Sequence, residues 1–135
     1  MATTFTFEIV TPDKMLYSTA EATCVSFQTL SGSMGIEAKH LPVIASLAIA
    51  PVKVTLADGH SEFIAVSGGF LEMNGTKCTV LATAAELAKE IDVERAELAK
   101  KRAEDRLAAK AEDLDVKRAM ASLQRATVRL KLRDL

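Results

Sequence analysis

Past Gly75 the sequence has no glycine, no proline and no aromatic ring, and it has no tryptophan anywhere. All six glycines and all three prolines fall within residues 1–85, and Phe5, Phe7, Tyr17, Phe27, Phe63 and Phe70 are the whole aromatic complement. A core built on large side chains therefore belongs to the first part of the chain. Net charge is −1, which gives no global electrostatic case for nucleic acid or an anionic membrane. The longest apolar run, Leu41–Pro51, is too short to span a bilayer. The opening MATTFTFEIV has no basic segment before an apolar run, so it does not read as a secretory signal. Cys24 and Cys78 read as free buried thiols in a reducing compartment, with a Cys24–Cys78 disulfide as the alternative. His40 and His60 do not pair with the cysteines at a metal-ligand spacing, and the chain has neither a GxxxxGK[ST] loop nor a GxGxxG turn.

What is present divides in two. In residues 1–85, short alternating runs stand between turn signals. Phe5, Phe7 and Ile9 share one face, as do Val25 and Phe27. Asp58-Gly59 joins Val52–Leu56 to Glu62–Val66, and Asn74-Gly75 joins Phe70–Met73 to Thr76–Leu81. Ser67-Gly68-Gly69 reads as a bulge or tight bend between two strands. Many short strands at this spacing predict an antiparallel sandwich or barrel.

Residues 86–135 hold 13 of the 17 basic residues, 11 of the 18 acidic residues and ten alanines. Asp92 is a good N-cap for a helix over about 93–110, and Asp113 or Asp115 for a second over about 116–132. Such a pair folds as an antiparallel hairpin. Its seams, Ala96, Ala99, Ala103 and Leu107 against Ala119, Leu123, Ala126 and Leu130, are mostly alanine. Each alanine buries little area, so the hairpin is held lightly, and a detachable tail and a permanent decoration are both open. Around it lies a group of charges. Asp92 and Arg95 start the first helix, Glu86 precedes it, and Arg125 and Arg129 stand four apart on the second. Two arginines so placed can bracket a triphosphate while a carboxylate accepts from an adenine amino group. Solvated surface charges are the plainer reading of the same spacing.

Several stretches resemble, in order and spacing, the epsilon subunit of bacterial F-type ATP synthase. They are Phe7–Pro12, Gly32–Ile36 followed by His40-Leu41-Pro42, Val66–Glu72 with Thr79–Ala82, Ile91-Asp92-Val93-Glu94-Arg95-Ala96, and Arg125–Leu130. The resemblance implies an α+β fold, an N-terminal ten-stranded antiparallel β-sandwich followed by a C-terminal antiparallel two-helix hairpin. It implies that residues 1–85 dock on the gamma subunit and the c-ring, with Ser31, Ser33 and His40 in that contact. Residues 86–135 would be a mobile regulatory hairpin. In its compact state the hairpin would hold ATP through Glu86, Ile91, Asp92, Arg95, Ala96, Arg125 and Arg129. Extended, it would inhibit ATP hydrolysis by meeting the alpha/beta catalytic subunits through Lys117, Arg118, Lys131 and Arg133. No catalytic residue, no metal and no obligatory cofactor are expected, ATP being a regulatory ligand only. The implied place is the cytoplasmic face of the bacterial cell membrane, reached through the complex. Glu37-Ala38-Lys39 and Ser33 depart from the resembling loop, where Leu-Pro-Gly and a glutamate are common. The competing reading is a free-standing sandwich adaptor whose helical tail dimerises.

Overall fold

The computed structural model describes residues 3–133. Among these, seven strands come first: β1 (Phe5–Val10), β2 (Met15–Thr29), β3 (Gly32–Glu37), β4 (Val43–Leu56), β5 (Ser61–Met73), β6 (Lys77–Ala82) and β7 (Ala85–Leu87). A single 3-10 turn, Ala88–Glu90, leads into α1 (Val93–Ala109) and α2 (Val116–Arg133). Strands then helices make the α+β class as expected.

The strand count and pairing differ from expectation. The sheet runs β1-β6-β5-β4-β2, and β1 also pairs β2, so five strands close into a barrel with β3 and β7 added at β2 and β5. The β1–β6 pair is parallel, the others antiparallel. There are seven strands and not ten because β2, β4 and β5, at 15, 14 and 13 residues, turn a corner without ending. The β4–β5 register is unbroken from Val43↔Met73 to Thr55↔Ser61. The inward face nevertheless changes phase: Leu71 and Met73 are buried on one side of the corner, Ile64 and Val66 on the other. A one-residue slip in a period of two looks, in sequence, like a loop between two strands. Gly68-Gly69 is therefore a bend inside β5.

That bend needs glycine. Gly69 has φ +131°, and a Cβ there would lie 2.2 Å from the Leu81 carbonyl oxygen on β6. The barrel interior is filled by Phe7, Ile9, Val25, Ile36, Ile64, Leu71, Met73 and Val80, all fully buried. Phe7 meets the Tyr17 ring at 6.0 Å between centroids. Cys24 and Cys78 are both free, which removes the disulfide alternative, and burial pushes the Cys78 thiol up to about 12. No helix among the described residues is long and apolar enough to cross a membrane.

Gly69→Ala is expected to destabilise the fold by roughly 3 kcal/mol, since backbone strain and a backbone clash act together. Urea denaturation followed by circular dichroism measures it, and an unshifted midpoint contradicts the account of the bend.

Candidate functional site

The hairpin forms for local reasons. The Asp92 carboxylate accepts from the Arg95 N–H at 3.1 Å and starts α1. Lys110, at φ +47°, ends it in the left-handed conformation. Asp115 then caps α2, accepting from the Arg118 N–H at 3.0 Å, which settles the choice between Asp113 and Asp115.

The helices meet along alanines. Ala96, Ala103, Ala119 and Ala126 are buried, whereas Ala99, Leu107, Leu123 and Leu130 are only half-buried. α2 alone lies along β4 and β5, and α1 packs on α2. A second face of α2 makes this contact. Val128 and Leu132 are buried with Ala65 and Ile91, with Ile49, Phe63 and Ala88 around them. Gln124 adds a polar tie, donating from Nε2 to the Ile49 carbonyl at 2.9 Å. Ile49 lies where β4 parts from β2, between the pairings of Leu47 and Lys53. This face is additional to the alanine seam expected from sequence, and its Gln124, Val128 and Leu132 recur at the four-residue helical spacing.

Some of the expected site residues come together. Arg129 on α2 pairs with Glu86 on β7, at 2.5 Å between Nε and Oε1, with both side chains half-buried. Arg125 donates from Nη2 to the Ser122 hydroxyl at 3.0 Å. Ile91 and Ala96 are buried, so their side chains serve packing. Asp92 has one oxygen spent on the cap, and Arg95 is exposed. Glu86 lies within β7, so pairing with β5 carries the sheet two residues past the boundary expected at 85.

Other expected groups are separated. Ser31 and Ser33 sit at the β2–β3 turn, Ser33 accepting from Gln28 Nε2 at 2.8 Å. His40 lies beyond the other end of β3, with Nδ1 2.7 Å from the Leu41 carbonyl oxygen. A six-residue strand puts roughly 20 Å between those ends, so the three do not form one patch. Lys117 and Arg118 start α2, while Lys131 and Arg133 end it, again roughly 20 Å apart along the helix axis. All four are exposed.

The outer face of the sheet carries a feature not expected from sequence. Leu81 is the register partner of both Phe70 and Val10, and Ile44 lies diagonal to Phe70 across β4. Ile44, Phe70 and Leu81 are 74%, 56% and 55% exposed. With the half-buried Val10 they form an apolar row across the outer face of four strands, of the kind that marks a partner contact. The signal was present in sequence: within Gly69–Met73 and Lys77–Ala82 both alternating faces carry apolar residues, where a solvated sheet keeps one polar.

Two family models match the chain in succession. The ATP synthase delta/epsilon chain beta-sandwich domain matches residues 4–88, and the long alpha-helix domain of the same chain matches residues 89–132. The chain belongs to the ATP synthase delta/epsilon chain family. Similar curated members include the ATP synthase epsilon chain of Bacillus velezensis, 49% identical over 122 residues covering 90% of this chain and 91% of that one. The Bacillus mycoides epsilon chain is 44% identical over 132 residues, 98% of each. The fold recurs in a chain of the Euglena gracilis mitochondrial ATP synthase, in a structure of its OSCP, F1 and c-ring. The TM-score there is 0.77 at 22% identity, covering 90% of this chain and 76% of that one. It recurs also in the central stalk and c-ring structure of the Tetrahymena thermophila mitochondrial enzyme, at TM-score 0.66 and 16% identity over 97% of each.

In this member of the delta/epsilon family the hold of the hairpin on the barrel rests on few side chains, each worth roughly 1.5–3 kcal/mol when buried. Leu132→Ala is expected to cost about 2–4 kcal/mol of docking and to raise amide exchange throughout α2, leaving β4–β6 protected. Hydrogen exchange read by mass spectrometry checks this. Equal loss of protection in barrel and helices contradicts it.

Proposed function

We infer that this chain is a non-catalytic central-stalk subunit of an F-type ATP synthase, an epsilon subunit of the rotor that links proton translocation to ATP synthesis. The observation that carries the reading is the ordered match of both domains of one family across residues 4–132. In this reading the barrel grips the gamma subunit and stands on the c-ring, at the cytoplasmic face of the membrane and attached to it only through the complex. The apolar row of Val10, Ile44, Phe70 and Leu81 is the face for gamma, because a soluble surface leaves such a row uncovered only where a partner covers it. Ser31, Ser33 and His40 lie at two ends of β3, so the c-ring contact draws on one end at a time.

The hairpin is the regulatory part. Folded on the barrel, as it is here, it is the compact state. Released and extended, it carries Lys117, Arg118, Lys131 and Arg133 towards the alpha/beta head and inhibits ATP hydrolysis. ATP is the proposed regulatory ligand of the compact state, held near Glu86, Ile91, Asp92, Arg95, Ala96, Arg125 and Arg129. A ligand specific to one state shifts the balance by about 2.7 kcal/mol at a hundredfold excess over its Kd. That is comparable to one buried leucine, so nucleotide is enough to tip a tail tied this lightly.

Phe70→Asp is expected to abolish co-purification with gamma while leaving the circular dichroism spectrum of the free chain unchanged; retained co-purification moves the gamma contact elsewhere. Arg125→Ala combined with Arg129→Ala is expected to remove ATP binding, measured by calorimetry on the purified chain. Unchanged affinity rules these arginines out as the nucleotide site.

A further inference from the structure

β2 and β4 pair on both sides of a gap. From Ser26↔Lys53 to Thr29↔Leu47, β2 advances three residues while β4 advances six. The excess in β4 includes Pro51, which has no N–H to offer a neighbouring strand. The strands part here, and the end of α2 borders the opening, leaving an open cleft of about 630 Å³ between barrel and tail. Among the described residues, its charged lining is Lys53 from β4 and Lys131 from α2, with Ser26, Gln28 and Ser33 as the other polar side chains and no carboxylate. Neither lysine belongs to an ion pair among the described residues. Lys53 is held over the Phe63 ring, its Nζ 5.9 Å from the centroid. Gln28 Nε2 donates to the Ser33 hydroxyl oxygen at 2.8 Å, which leaves the Ser33 O–H to donate elsewhere. Lys131 follows Arg129 by two residues, roughly 200° further round the helix, so the cleft lies on the flank of α2 away from the arginine pair.

We propose that this cleft binds a soluble phosphate-class oxyanion, bridged between Lys53 of the barrel and Lys131 of the tail. Two ammonium groups on one cleft repel each other, and a multiply charged anion between them replaces that repulsion with charge-assisted hydrogen bonds. Each lysine carries three donors on a flexible stem, which suits a tetrahedral oxyanion approached from two sides. One cation comes from each part of the molecule, so the anion binds the docked tail better than the released one and fastens it. The binding rests on the docked arrangement alone and needs nothing from the nucleotide reading. Its regulatory effect rests on the reading of the tail given above: the anion withdraws Lys131 from the catalytic head and acts against inhibition.

The test is titration of the full chain with sodium diphosphate at constant ionic strength, followed through its backbone amide signals. The amides of Ser26, Gln28, Ser33 and Lys53 are expected to shift together and saturate, and amide exchange in α2 to slow while that in β6 stays as it was. Lys53→Met and Lys131→Met are each expected to weaken the response of the barrel amides roughly tenfold, the scale of one hydrogen bond to a charged group. Lys131→Arg, which keeps the charge, is expected to stay within about threefold. Lys131→Met decides the matter, since it removes a tail residue and is read on the barrel; an unchanged midpoint there overturns the site. Shifts confined to the neighbourhood of Arg125 and Arg129 also overturn it and leave the nucleotide reading standing. Sedimentation of the chain with phosphatidylglycerol vesicles through these two lysines, with no response to diphosphate, overturns the soluble ligand in favour of a lipid headgroup.

Discussion

The contact between one face of α2 and the outside of β4 and β5 decides what this molecule can do. It consists of Val128 and Leu132 set against Ala65 and Ile91, with Gln124 bonded to a single backbone carbonyl and Arg129 to Glu86. α1 takes its place from α2, through alanines that bring the helices close and bury little. Loosening that one face frees both helices, since α1 has no comparable hold on the barrel. The barrel core, with Phe7, Ile9, Ile64, Leu71 and Val80 at its centre, takes no residue from either helix. The large buried side chains thus fill the barrel, while the contact between the helices is mostly alanine.

Much of this was legible from residue types. Loss of glycine, proline and aromatics marks the passage from sheet to helix. Asp92 announces the start of α1, and the alanine positions announce the helix–helix seam. The long strands were not legible as such. Reading alternation cannot distinguish a strand that ends from one that rotates its faces at a corner, and Ser67-Gly68-Gly69 satisfies both descriptions. Closure of the barrel by a parallel β1–β6 pair was equally hidden, since it joins segments about seventy residues apart that carry no local sign of their partnership.

The charged residues show a different limit. Arg125 and Arg129 could be singled out by their spacing, but what each touches depends on residues from other elements. Glu86 reaches Arg129 only because β7 pairs with β5 and α2 lies across β5. Ser122 had no sequence signal, being a serine in the body of a helix. Lys117, Arg118, Lys131 and Arg133 remain solvated, at the two ends of α2, so any joint action on one surface requires the helix to lie along it.

The unbroken run of β5 has a mechanical consequence. Phe70, in the uncovered apolar row, and Ala65, beneath α2, are five residues apart on the same strand, roughly 17 Å of continuous backbone. A load applied at one is carried to the other along covalent bonds braced by β4 on the whole length, with no side-chain joint between them to slip. Because these strands turn corners without ending, the arm rests on the same continuous strand that carries the apolar row.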